Sequence, residues 1–95
     1  MARYPIHVKR KSYNGNDPKK IAARNEWNRD AMELEKITNE LIKKRGNGRY
    51  DYSEIAKLAG FEEERVVEIM FSVDCGHNGF TIWNYEVEEP GSGLA

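Results

Sequence analysis

The chain contains a single cysteine, Cys75, among its 95 residues. One cysteine excludes an internal disulfide and a thiolate-rich zinc site, so the core must be held by packing. No run approaches the roughly 20 consecutive apolar residues that cross a bilayer. The opening segment, MARYPIHVKRKSY, also lacks the apolar middle of a signal peptide. We therefore expect a cytoplasmic protein with no membrane partner.

Groups suited to catalysis or metal binding are equally scarce. Asp74, Cys75 and His77 are close in sequence, but nothing nearby supplies a third orienting group or oxyanion donors. If the two ends of the chain met, Cys75, His77 and His7 could supply three zinc ligands, but a closed structural site needs four. The glycine-containing segment at residues 46–49 lacks the lysine and spacing of a phosphate-binding P-loop. The sequence predicts no catalytic residue, no metal ligand and no cofactor, and hence a protein that is not an enzyme.

Charge is distributed unevenly, although the net charge is only -1. Residues 1–24 contain seven lysines and arginines against one aspartate, a balance of +6. Residues 51–95 contain two basic and ten acidic residues, a balance of -8. Such a division is typical of a protein with two different partners, and equally of a monomer whose two ends fold against each other.

Apolar spacing predicts a long first helix. The helix is predicted to start at about Pro18, where Asp17 and Pro18 have the residue types of a helix start, or at about Asn25, because Ile21 is out of phase with the stripe that follows. Gly46 follows Arg45 as a helix stop. The core-facing stripe of this helix is predicted to contain Trp27, Ala31, Leu34, Ile37, Thr38, Leu41 and Ile42. The side chains expected to point away from the core are Asn28, Glu35, Lys36, Asn39 and Lys43.

Two shorter helices are predicted to follow. Asp51 and Glu54 have the spacing of a capping box at the start of the second helix, and Gly60 ends it. The third helix is predicted to begin at Phe61. Its inner stripe is expected to contain Val66, Ile69, Met70 and Val73.

Strands are predicted near both ends of the chain. Residues 4–8 alternate apolar side chains with others, which indicates a short edge strand. Residues 49–50 are candidates for a very short strand. Residues 76–79 suit a turn, and residues 80–88 are rich in strand formers, so a C-terminal β-hairpin is predicted. Residues 89–95 are expected to form a flexible tail.

Residues 52–71 resemble the helix-turn-helix family. Ala56 is small where two such helices touch, and Gly60 permits the sharp turn four residues later. Apolar residues stand at the family's packing positions, namely Ile55, Phe61, Val66 and Ile69. With the long helix before and the hairpin after, residues 25–88 resemble a winged-helix domain. The resemblance implies an α+β, mainly helical, three-helix fold with a C-terminal hairpin, preceded by a basic arm at residues 1–24.

The motif's second helix differs from that of a typical DNA reader. In the family this helix presents its first turn and outer face to base edges, while the wing touches phosphate. Here the first turn is Glu62, Glu63 and Glu64, and the predicted wing, CGHNG, has no basic residue. Phosphate neutralisation supplies most non-specific DNA affinity, so this surface works against DNA binding.

Apolar residues ringed by acids are common where proteins dock on other proteins. We therefore predict that the acidic helix contacts a partner protein. The predicted contact residues are Glu63, Glu64, Val67, Glu68 and Phe71. If the hairpin or the first helix covered Val67 and Phe71, those two residues would instead belong to the core.

The basic arm is a second candidate site, for DNA or RNA. Its cations suit phosphates, and its tyrosine rings suit exposed bases. The predicted nucleic-acid-binding residues are Arg3, Lys9, Arg10, Lys11, Tyr13, Lys19, Lys20 and Arg24. A solubilising flexible arm would explain the same residues, and so would an arm that folds back on the acidic helix.

These patterns predict a small non-enzymatic regulatory protein that docks on a partner protein through its acidic helix and contacts nucleic acid through its basic arm. Two alternatives fit the same fold. One is a sequence-specific DNA-binding transcription regulator. The other is a phage-type inhibitor whose acidic face imitates nucleic-acid phosphates and blocks a host enzyme. The sequence identifies neither the partner nor the oligomeric state.

Overall fold

The computed structural model describes residues 2–74 and 78–85. The elements in chain order are α1 (Pro18–Arg45), β1 (Gly48–Asp51), α2 (Tyr52–Ala59), α3 (Glu63–Asp74) and β2 (Gly79–Ile82). The fold is α+β and mainly helical, as predicted. The predicted tail at residues 89–95 and the last residues of the predicted hairpin, 86–88, lie outside the described residues.

Both ends of α1 are set by local signals. The Asp17 carboxylate accepts a hydrogen bond from the Lys19 backbone N–H at 3.0 Å, and proline occupies the first helical position. At the other end Gly46 has φ 74°, and its N–H donates to the Ile42 carbonyl at 2.7 Å. Of the two predicted starts, Pro18 and Asn25, the helix uses Pro18, and the predicted stop after Arg45 is confirmed. The residues of α1 that are buried are Ala31, Leu34, Thr38 and Ile42, all on the predicted stripe.

A three-residue turn, Gly60 to Glu62, joins α2 to α3. Gly60 has φ 73°, a left-handed conformation that favours glycine, and the Phe61 N–H donates to the Ala56 carbonyl at 2.9 Å. Helix α3 begins at Glu63, two residues after the predicted start. The delay has a local cause, because the Glu62 carbonyl accepts the first hydrogen bonds of the helix, from the N–H groups of Arg65 and Val66.

The predicted capping box at the start of α2 is wrong. Asp51 makes no side-chain cap; its carboxylate instead accepts from Arg49 Nε at 3.2 Å. The Glu54 carboxylate pairs with Arg45 at the end of α1. Because guanidinium groups bind both carboxylates, neither reaches the helix start.

The two strands form one antiparallel sheet, in which Tyr50 lies opposite Phe80. The very short strand predicted at residues 49–50 is confirmed. Its partner was not predicted, since β2 was expected to pair within a C-terminal hairpin and instead pairs with β1. Gly79 permits this pairing, because a Cβ atom there would lie 2.0 Å from the Tyr50 carbonyl oxygen. Ala2 extends the sheet through a bridge to Ile82.

The N-terminal segment, residues 2–17 before α1, packs on the rest of the fold. Ile6 and Val8 are buried in the same core as the helices. Pro5, which precedes Ile6, and His7, which lies between the two, are exposed. The predicted alternation is therefore correct, but the predicted edge strand is wrong: residues 4–8 bond to side chains rather than to a neighbouring strand. The boundary drawn at residue 24 falls inside α1.

Candidate functional site

The acidic surface lies on α3 and on the turn before it. Its four glutamates and one half-buried valine line a shallow depression of about 600 Å³. These residues, which we call the acidic face, are Glu62, Glu63, Glu64, Val67 and Glu68. The acidic face contains no basic residue. Its Glu68 carboxylate contacts Arg65 Nη1, outside the face, at 3.4 Å. Four of the five predicted docking residues are thus brought together.

The fifth predicted docking residue, Phe71, belongs to a different place. Its ring is 43% exposed and borders a groove of about 420 Å³ between α3 and the N-terminal segment. On the opposite side of that groove lie Lys9, Arg10 and Lys11, and Trp27 and Ile69 complete its apolar lining. Phe71 therefore faces the basic segment, and the two predicted sites adjoin each other.

Polar side chains hold the N-terminal backbone in place along α1. Asn39 binds both backbone groups of Ile6, accepting from its N–H at 2.7 Å and donating to its carbonyl at 3.1 Å. Asn28 binds Lys11 in the same way, at 2.8 and 2.9 Å. Glu35 accepts from the Val8 N–H at 2.8 Å, between these two positions. The segment therefore runs antiparallel to α1 on a ladder of side-chain contacts.

Sequence reasoning missed these anchors, because it assigned Asn28, Glu35 and Asn39 to the side of α1 that points away from the core. A signal did exist. The three residues are spaced seven and four apart, so they form one stripe of hydrogen-bonding side chains along the helix. That stripe is where the N-terminal segment lies.

The cations of the predicted nucleic-acid site differ in what they contact. Arg10 is bound to Glu35, with Nη2 3.4 Å from Oε2, and also donates to the Val8 carbonyl at 2.7 Å. The other six cations have no carboxylate partner among the described residues. Those six are Arg3, Lys9, Lys11, Lys19, Lys20 and Arg24. Of these cations, only Arg10 thus has its charge offset by a carboxylate among the described residues.

Contacts with rings and backbone orient several of these cations. The Lys11 ammonium sits 3.7 Å from the centre of the Trp27 ring, and the Trp27 indole N–H donates to the Lys9 carbonyl at 3.3 Å. Arg24 Nη1 donates to the Tyr13 carbonyl at 3.2 Å. The Lys20 ammonium lies 5.9 Å from the Tyr13 ring centre.

A second groove, of about 250 Å³, gathers four of the predicted nucleic-acid residues. Its charged and aromatic lining consists of Lys11, Tyr13, Lys20 and Arg24. Arg3 is not among them. Its guanidinium lies 5.2 Å from the centre of the half-exposed Trp83 ring, which follows β2. The structure thus brings four of the eight predicted residues together at the start of α1 and leaves Arg3 elsewhere.

Neither a metal site nor a membrane-spanning helix occurs in the part of the chain that the structure describes. No three histidine, cysteine, aspartate or glutamate side chains come together there as metal ligands would. No helix there has both the length and the apolarity that crossing a membrane demands. Cys75 and His77 lie outside the described residues.

Comparison of the chain with protein-family models, with curated proteins and with solved structures finds no match.

Proposed function

We propose that this chain is a small non-enzymatic regulatory protein that docks on a partner protein through the acidic face and contacts nucleic acid through its basic N-terminal segment. The observation that carries the proposal is the separation of charge of opposite sign onto two adjoining surfaces. A chain with a net charge of -1 would not need such separation for solubility alone.

The acidic face has the composition of a docking surface. Its glutamates surround Val67, which is half-buried and so offers apolar area within a charged rim. Its carboxylates would repel phosphate, which argues against this face as a DNA-reading surface. They would be complementary to a basic patch on another protein, where charge steers association and selects the partner.

The element order supports a helix-turn-helix domain of the winged-helix type as the scaffold. Helices α2 and α3 are joined by a three-residue turn that contains Gly60, as in that motif. The long helix α1 precedes the motif, and β2 follows it and pairs with β1. On this scaffold α3 occupies the place of the reading helix, with protein docking as its role.

Charge reversal on the acidic face tests the docking role. Glu63→Lys with Glu64→Lys changes the charge by four units at exposed positions and leaves the buried face of α3 intact. The readout is capture of the partner from a lysate of the source organism. We expect the binding free energy for the partner to weaken by about 1 kcal/mol or more. The matched control is Glu33→Lys with Glu40→Lys, the same charge change at exposed positions of α1.

The lysate is treated with nuclease before capture. A protein that the wild type and the control retain, but that the α3 variant loses, is then identified as the partner. Circular dichroism must show that both variants fold. A DNA reader would respond in the opposite direction, with tighter binding of the Glu63 and Glu64 variant to duplex DNA. That result, together with unchanged protein capture, would contradict the docking role.

A further inference from the structure

We propose that the nucleic acid contacted by this protein is single-stranded, and that it lies in one continuous basic track. The track is formed by two adjoining grooves, and the residues that define it are Lys9, Lys11, Tyr13, Lys20, Arg24 and Phe71. The inference rests on the proposed nucleic-acid role of the N-terminal segment and specifies the ligand of that site.

Continuity of the track follows from shared lining residues. Lys11 and Ser12 border both the groove beside α3 and the groove beside the start of α1. The two grooves, of about 420 and 250 Å³, therefore meet along this part of the N-terminal segment. A flexible polymer can follow such a path from Phe71 to Arg24.

The cations of the track are spread along its length. Lys9 and Lys11 line the first groove, and Lys11, Lys20 and Arg24 line the second. None of the four pairs with a carboxylate among the residues that the structure describes. Spaced cations of this kind follow a phosphodiester backbone.

Two acidic residues near the track are already engaged. Glu35 binds Arg10, and Glu68, which lines the first groove, meets Arg65 Nη1 at 3.4 Å. Arg65 also pairs with Asp30 at 3.1 Å. These contacts offset part of the negative charge that would otherwise oppose a phosphate in the first groove.

Exposed aromatic surface distinguishes a single strand from a duplex. Phe71 is 43% exposed at one end of the track, and the half-buried Tyr13 stands at the other. The Tyr13 hydroxyl accepts from the Asp17 N–H at 3.4 Å, which fixes the ring beside the second groove. Base faces are stacked inside a duplex and available in a single strand, so these rings favour the single strand.

The test is fluorescence anisotropy with a labelled 12-nucleotide oligothymidine and with a mixed-sequence 12-base-pair duplex, titrated with the full chain. We expect tighter binding of the single strand, by tenfold or more at moderate salt. The logarithm of the binding constant should fall linearly with the logarithm of the salt concentration. Lys20→Ala with Arg24→Ala should reduce the magnitude of that slope by about 0.7 for each cation removed. Lys43→Ala with Lys44→Ala removes the same charge at the opposite end of α1 and should leave the slope unchanged.

Phe71→Ala tests the aromatic contribution without a change of charge. We expect a loss of about fivefold or more in single-strand affinity and little change for the duplex. Leu58→Ala is the control, because Leu58 is an exposed apolar residue on α2 and is not part of the track. The Trp83→Phe variant leaves Trp27 as the only tryptophan. The fluorescence emission of Trp27 should change when the single strand binds, because the Lys11 ammonium that contacts the Trp27 ring would be drawn to phosphate.

The outcomes separate this inference from the function on which it rests. No binding of either oligonucleotide at low salt would overturn the nucleic-acid role itself, and the track with it. Binding that prefers the duplex, or that is unaffected by Phe71→Ala, would keep the nucleic-acid role and overturn the single-strand assignment. Equal binding of a labelled polyglutamate peptide would overturn the assignment in favour of an acidic protein segment.

Discussion

Replacing Asn39 with alanine removes both hydrogen bonds that hold Ile6 against α1, at 2.7 and 3.1 Å. Ile6 is only 1% exposed, so its backbone N–H and carbonyl would lose their partners where water has little access. A buried polar group without a partner costs about 1–3 kcal/mol. We expect the variant to lose about 2–3 kcal/mol of unfolding free energy, which lowers Tm by roughly 10–20 °C in a domain of this size.

Asn28→Ala is the matched comparison. It removes the same pair of hydrogen bonds at Lys11, but in an exposed setting where water can replace them, so we expect a loss below about 1 kcal/mol. Both substitutions gain alanine's helix propensity within α1, so this gain cancels in the difference between them. Thermal unfolding followed by circular dichroism measures both. Equal destabilisation by the two variants, or a loss below 0.5 kcal/mol for Asn39→Ala, would refute the view that these side chains anchor the segment.

Two further predictions concern the sheet and its tyrosine. Gly79→Ala should destabilise the fold by about 2 kcal/mol or more, because its Cβ meets the backbone of β1; Gly60→Ala, which is strained but unobstructed, should cost about 1 kcal/mol. Burial raises the pKa of Tyr50 above its ordinary value of 10.0. The unfolded chain therefore loses this proton first, and unfolding free energy should fall as pH rises above about 10, by at most 1.4 kcal/mol per pH unit. Denaturant titrations at several pH values should show a shallower decline in Tyr50→Phe, and an identical decline would contradict the role of Tyr50.

The ends of α1 were predictable because their causes are local. Asp17, Pro18 and Gly46 act on backbone within a few residues of themselves, so their types and order are sufficient. The capping box failed although Asp51 and Glu54 have the required spacing. Arg49, in the same strand as Asp51, binds the first carboxylate, and Arg45 at the end of α1 binds the second, a contact that depends on the tertiary structure.

Non-local contacts account for the other differences. Strand β1 has four residues, and its partner lies beyond two helices, so no local pattern indicates their pairing. For the candidate site, the cations and the acidic face were predicted as separate groups. Their common border at Glu68, which lines both the acidic depression and the groove beside the N-terminal segment, was not, because it depends on Asn28, Glu35 and Asn39 directing that segment along α1.

The central claim is that one chain joins a partner protein to nucleic acid through two surfaces of opposite charge. A bridging assay tests it directly, with the 12-nucleotide oligothymidine immobilised and the captured partner added with or without this protein. We predict that the wild type retains the partner on the oligonucleotide, and that Glu63→Lys with Glu64→Lys stays bound without retaining it. Lys20→Ala with Arg24→Ala should weaken both its own binding to the oligonucleotide and the retention of the partner. Retention of the partner by both variants at the wild-type level would contradict the claim.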